Sequence, residues 1–210
     1  MKNLTRTNWE DWFNELSMND YVVIDTFLST EILVQITDNF NRKIKAGVFR
    51  KAAVGATGNE NIINEIRGDY TYWLEKGKDK ELNNLFVVFD EIMYQLNRHC
   101  FLSLSDYEFH FAHYPVGSFY KKHLDQFTGR NNRMISLIIY LNENWQPGDG
   151  GELCIYPKNK SPKSIAPLLN RCVLFKSDML EHEVLTAKKP RKSITGWMLY
   201  QPGPLVIVSM

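Results

Sequence analysis

"RMISLIIYLNENWQPGDGGELCIYP" (residues 133–157) holds two runs rich in apolar and β-branched residues, joined by a stretch that carries Pro147, Gly148, Gly150 and Gly151. Runs of this kind, broken by turn residues, read as neighbouring strands. The pattern recurs on both sides, in "EFHFAHY" (108–114), "RCVLFK" (171–176) and "KSITGWMLY" (192–200). Several short strands at this spacing predict an antiparallel sandwich or barrel, not alternating βα units. The upstream half reads differently. "NWEDWFNELSM" (8–18) sets Trp9, Trp12, Phe13 and Leu16 on one helical stripe behind a cap at Asn8, and "YVVID" (21–25) is a short strand. Ser29 opens a second helix that runs through Ile44. "DKELNNLFVVFDEIMYQLNRH" (79–99) spaces Leu82, Leu85, Phe86, Phe89, Ile92, Met93 and Leu96 at helical intervals. The expected fold is α+β and mainly β: one domain over 1–210, with helical support over about 1–100 and a strand-rich core over about 105–203. Between the second and third helices, the glycine-rich "GVFRKAAVGATGN" (47–59) reads as a loop and Ile66–Leu74 as a strand.

At 210 residues and 44% hydrophobic content the chain can bury a core of ordinary size. Lys plus Arg at 25 against Asp plus Glu at 24 gives a formal charge of +1, which argues against nucleic acid or an anionic membrane as partner. The start, "MKNLTRTNWEDWFNEL", lacks the apolar core of a secretory signal, and no stretch approaches the roughly 18 apolar residues of a membrane span. Cys100, Cys154 and Cys172 are odd in number and widely spaced, which suits a reducing compartment. The expectation is a soluble, cytoplasmic protein.

"YPVGSFYKKHLD" (114–125) ends on His123 and Asp125, which on a strand point to one face. Alone this pair is weak evidence for a site. His182 in "LEHEVLTAKKPRKSITGW" (180–197) supplies a third donor, and two histidines with one carboxylate form the facial triad that binds non-haem iron(II) with open positions. Alternation on the last strand sends Arg191, Ser193, Thr195 and Trp197 to one face, and an inward guanidinium needs an anionic partner. Alternation likewise groups Ser136, Ile138 and Tyr140. A dicarboxylic keto acid would fit: one end on iron, its far carboxylate on Arg191 with the Tyr140 hydroxyl as second donor. The competing reading is a surface Arg191 in a basic turn, with Tyr140 as core.

With these marks the sequence resembles the 2-oxoglutarate and iron(II) dependent prolyl hydroxylases, in particular the hypoxia-type enzymes and their bacterial relatives. The resemblance runs from "IRGDYTYWLE" at Ile66 to "GWMLY" ending at Tyr200. It rests on "YPVGSFYKKHLD", "YLN" (140–142), "GGELCIYP" (150–157), and "HEV" at His182 followed by Arg191 and "ITGW". It implies a double-stranded β-helix (jelly-roll) core backed by N-terminal helices. His123, Asp125 and His182 become the iron ligands, and Arg191 with Tyr140 holds 2-oxoglutarate. Tyr114 lies beside the metal and Trp197 walls the pocket. The reaction implied hydroxylates a prolyl residue of a target protein with dioxygen while 2-oxoglutarate becomes succinate and CO2. Ascorbate as reductant and a role in oxygen sensing come with the family. The resemblance also pairs Asp69 with Arg133 as a tether for the 47–59 loop, read as a lid, and sets Tyr120 near the substrate channel; packing of the barrel is the other reading of Tyr120. The stretch from Tyr114 to His123 is one residue shorter than in the animal enzymes. Only ten residues follow Tyr200, little for the carboxy-terminal helix that helps those enzymes hold a peptide. Both differences bear on substrate identity. A hydroxylase of another side chain or small molecule, a non-catalytic 2-oxoglutarate or metal sensor, and a zinc hydrolase are the rival readings.

Overall fold

The structure, a computed structural model, describes residues 8–52, 65–126 and 131–200. Three helices form where the apolar stripes lie. Helix α1 spans Trp9–Asn19, with the Asn8 side chain accepting from the Asp11 amide, and stops at Asp20 in the left-handed region. Helix α2 (Thr30–Lys45) starts at Ser29, whose hydroxyl accepts from the Ile32 amide. A single 3₁₀ turn at Lys80–Leu82 leads into α3 (Asn83–Cys100), which ends at Phe101 with φ 55°.

The strands are β1 (Tyr21–Ile24), β2 (Arg50–Lys51), β3 (Tyr70–Trp73), β4 (Asp106–Tyr114), β5 (Tyr120–His123), β6 (Arg133–Tyr140), β7 (Leu153–Tyr156), β8 (Lys163–Ile165), β9 (Cys172–Lys176), β10 (Glu181–Val184) and β11 (Arg191–Leu199). They make a seven-stranded sheet, β1-β9-β6-β11-β4-β3-β2, and a four-stranded sheet, β5-β10-β7-β8, with antiparallel pairing throughout. Strand β3 is shorter than the expected Ile66–Leu74. Arg67 and Gly68 bend towards residues 118–120 instead, with Arg67 bridging Tyr120 and a Cβ on Gly68 falling 3.2 Å from that of Ser118.

Period-2 alternation divides the large sheet into two faces. Ile135, Leu137 and Ile139 of β6, with Ile194 and Met198 of β11, pack against Ile36, Phe40, Phe89 and Leu96 of the helices. Phe89 stacks on Phe109 of β4 with centroids 3.8 Å apart. The opposite residues, Ile138 and Tyr140, join Val173, Phe175, Leu153 and Ile155 between the sheets. Helices therefore cover one face of the large sheet, the small sheet covers part of the other, and a cavity opens between the sheets. This is the jelly-roll arrangement expected. Among the described residues, no helix is long and apolar enough to cross a membrane.

Candidate active site

Strand β5 carries His123, and β10 sets His182 directly opposite it in register. Asp125 lies two residues past His123, beyond the end of β5, so a bend and not strand parity delivers its carboxylate. Oδ1 of Asp125 is 3.5 Å from His123 Nε2, and Oδ2 is 3.5 Å from His182 Nε2. One ligand atom from each of the three lies within 4.8 Å of the other two. Each imidazole is oriented from behind: Nδ1 of His123 meets the Lys121 carbonyl at 2.7 Å, and Nδ1 of His182 meets the Leu180 carbonyl at 3.0 Å. A proton on Nδ1 in both rings leaves the Nε2 lone pairs turned inward, as metal binding requires. Ser136 Oγ donates to Asp125 Oδ2 at 2.7 Å and meets Ser177 Oγ at 2.8 Å. Burial alone would raise the Asp125 carboxyl, but His182, His123 and Ser136 outweigh it and hold the group well below the usual carboxylate range. Burial pushes His182 down to about 4, with His123 adding to the shift and Asp125 opposing it. Two imidazoles and one carboxylate are a donor set suited to a divalent transition metal.

Arg191 lines the same cavity and is 3% exposed. Its Nε donates to the Gly151 carbonyl at 2.9 Å and one Nη donates to Ser193 Oγ at 3.2 Å. The guanidinium carbon sits 4.8 Å from the Tyr114 ring centre and 5.0 Å from that of Tyr140. Gly151 has φ 76°, and a Cβ there would lie 3.0 Å from Arg191 Cδ, so glycine makes room for the arginine stem. Among the described residues no carboxylate pairs with Arg191, and the buried Tyr140 hydroxyl has no hydrogen-bond partner. A buried cation beside an unused hydroxyl fits an anionic ligand. Thr195 and Trp197 line the cavity beyond, as their parity with Arg191 predicts.

The expected Asp69–Arg133 pair does not form. Asp69 takes both Nε and one Nη of Arg67, at 2.8 and 2.7 Å. Arg133 gives its Nε and one Nη to Glu108, at 2.9 and 2.7 Å, and lies 3.4 Å over the Trp197 ring centre. The reason is register: β11 sets Leu199 opposite Arg133 on one side and Trp197 opposite Glu108 on the other, which draws Arg133 to Glu108. Most of the loop expected as a lid, residues 53–59, lies outside the described residues.

His110 is a cavity residue outside the set expected from the sequence. It is buried, its Nδ1 has no partner, and Trp73 and Trp197 flank it at centroid distances of 4.7 and 5.7 Å. Burial, with Arg67 and Arg133 adding, pushes it down to about 3. A signal was present: His110 shares strand parity with Ala112 and Tyr114, which face the cavity. Trp73 and Arg67 also line it.

Residues 109–199 match the 2OG-Fe(II) oxygenase superfamily. The chain is 31% identical over 189 residues to the mouse prolyl hydroxylase EGLN3, covering 84% of this chain and 77% of that protein. The chain belongs to the 2-oxoglutarate and iron(II) dependent prolyl hydroxylase family. It is 29% identical over 197 residues to the hypoxia-inducible factor prolyl hydroxylase of Caenorhabditis elegans, of whose length it spans 27%. A prolyl-4-hydroxylase structure from Pseudomonas putida superimposes with a TM-score of 0.84 at 30% identity, over 93% of this chain and all of that one. A prolyl hydroxylase from Trichoplax adhaerens, solved with a hypoxia inducible factor peptide fragment, gives 0.80 at 25% identity over 95% of this chain and 96% of that one. The chain is thus an iron(II) and 2-oxoglutarate dependent dioxygenase with the jelly-roll fold.

Proposed function

We propose that this hydroxylase acts on a prolyl residue within a protein segment, with His123, Asp125 and His182 as the iron ligands and Arg191 as the anchor of 2-oxoglutarate. The observation that carries the reading is Arg191: a buried guanidinium, free of any carboxylate among the described residues, in the cavity that also holds the triad. A zinc hydrolase would have no use for it.

When bound, iron(II) with 2-oxoglutarate and dioxygen supplies the oxidation, in which one oxygen atom enters succinate, the other enters the prolyl C–H bond, and CO2 leaves. The chain binds, orients and excludes water. His123 and His182 turn their Nε2 lone pairs inward because their Nδ1 protons are held by backbone carbonyls. Asp125 stays ionised under its serine clamp. Arg191 and the Tyr140 hydroxyl receive the far carboxylate of 2-oxoglutarate, with Thr195 beside them. The rings of Tyr114 and Trp197 wall the pocket, and Trp73, 46% exposed, stands where a peptide would enter. The mouse relative and the Trichoplax peptide complex support a proline-containing segment as partner. We read 1–210 as one domain acting in the cytoplasm, with ascorbate as a reductant for the iron and with oxygen sensing as its setting; the hypoxia-type relative supports the last of these.

The test is anaerobic titration of metal-free protein with Fe(II) and 2-oxoglutarate, followed by proline-containing peptides in air. A visible charge-transfer band that needs both additions, and a peptide that gains one oxygen atom as succinate forms, are the expected results. No band from folded, metal-loaded protein would overturn the reading.

A further inference from the structure

Tyr120 sits outside the metal donor set, yet its ring lies flat on a metal-ligating imidazole. Its centroid is 3.7 Å from that of His123 at an interplanar angle of 18°. On its other side the Arg67 guanidinium stands 4.3 Å from the Tyr120 ring centre. Arg67 is itself fixed by the two-point bond to Asp69, which is fully buried. The backbone ties the same two segments together: Gly68 N–H donates to the Phe119 carbonyl at 3.0 Å and Lys121 N–H to the Ile66 carbonyl at 2.9 Å. Ser118 Oγ donates to the Gly68 carbonyl at 3.0 Å.

We propose that Arg67 and Tyr120 are positioning residues for the metal, a guanidinium–phenol–imidazole stack that sets the tilt of the His123 ring. The proposal rests on the reading of His123 as a ligand. A hydrogen bond to the Lys121 carbonyl and the tilted His182 ring, centroids 4.3 Å apart, hold the imidazole in part; the ring stacked face to face on it limits its remaining rotation. Nothing comparable is needed at His182, which is buried between the Leu180 carbonyl and the edge of Phe175 at 4.6 Å. His123 is on the end strand of its sheet and its side chain is more exposed than that of His182, 18% against 4%.

Charge and stacking make opposite forecasts, which gives the test its power. If Arg67 acted only as a cation, Arg67→Lys, which keeps the charge, would leave binding as it is, and removing the charge would tighten it. As the back of a stack, it promotes binding. Groups that orient a ligand from behind change metal affinity by about 10–100-fold. Co(II) alone is the probe, read by affinity and by its visible d–d absorption, beside thermal unfolding of the metal-free chain. Tyr120→Leu is expected to weaken Co(II) binding about tenfold or more and to alter the d–d bands, with unfolding little changed. Tyr120→Phe, which keeps the ring, behaves as native. Arg67→Lys keeps a charge for Asp69 but loses the planar face, and weakens binding in the same direction. Native affinity and spectrum in Tyr120→Leu, or native or tighter binding in Arg67→Lys, would overturn the proposal. If the native chain takes no Co(II) or Fe(II), the ligand reading fails. The stack is then judged in the metal-free chain, where the ring current of Tyr120 shifts the His123 proton resonances upfield and Tyr120→Leu abolishes that shift. Absence of the shift overturns the stack.

Discussion

The two faces of the seven-stranded sheet are written by the same strands and obey different rules. Towards the helices, β6 presents Ile135, Leu137 and Ile139, and the neighbours are aromatic and aliphatic. Towards the cavity it presents Ser136, Ile138 and Tyr140, beside Asp125 and Arg191. Buried side-chain atoms without partners concentrate on the second face: of the four among the described residues, those of His110, Tyr140 and Trp197 belong to it, and that of Asn39 does not. Unpaired buried polar groups cost stability, so a fold that gathers them in one place trades stability for binding. The helix-backed face supplies the stability that the cavity face lacks.

The largest effect should come from cutting the cavity face at its centre. Asp125→Ala or His182→Ala is expected to bring 2-oxoglutarate decarboxylation to background with the far-ultraviolet circular dichroism unchanged; native turnover in either would dismiss the ligand assignment. The mirror experiment is Phe89→Ala on the helix side. Loss of the ring stacked on Phe109 should cost about 3–5 kcal/mol in denaturant unfolding while metal affinity per folded molecule is kept. Arg191→Met tests the trade itself. It should abolish the response to 2-oxoglutarate and raise the stability of the ligand-free chain by about 1–4 kcal/mol, as apolar replacement of buried ionic groups can do. A less stable Arg191→Met would mean that the guanidinium is structural.

The smallest effect concerns acid. His110 and His182 are depressed to about 3 and about 4, so the folded state binds fewer protons than the unfolded chain below the ordinary histidine value near 6.5. Their contribution to stability is fully present above about pH 6.5 and falls as the pH drops from there towards the folded values. Each contributes a slope of about 1 kcal/mol per pH unit in that window. His110→Met should flatten the fall by one of the two slopes, read from unfolding free energies between pH 4 and 7. An unaltered slope would show that His110 takes up its proton in the folded state.

Much of this was legible in the sequence because local rules govern it. Asn8 and Ser29 cap the helices they precede, and the stripes of α1 and α3 face inward as their spacing requires. The alternation of β6 and β11 brought Tyr140 and Arg191 together correctly. What escaped depends on more than one segment. Strand β8 is three residues, Lys163–Ile165, two of them exposed, and exists because Leu153 and Ile155 of β7 pair with it. The choice of Arg133 between Asp69 and Glu108 is decided by the register of β4, β11 and β6, and no motif states a register. His110 was missed for another reason. In a nine-residue strand with two histidines, only alignment with Tyr114 tells which one faces the cavity.

On the proposed ligand assignment, the register of β10 against β5, His182 opposite His123, gives the metal a mechanical part to play. An ion held by both rings is a rivet through two neighbouring strands, set where the small sheet would otherwise peel from its end. Chelation should therefore loosen β5 first, and its amides should be the earliest in the jelly roll to exchange with deuterated solvent.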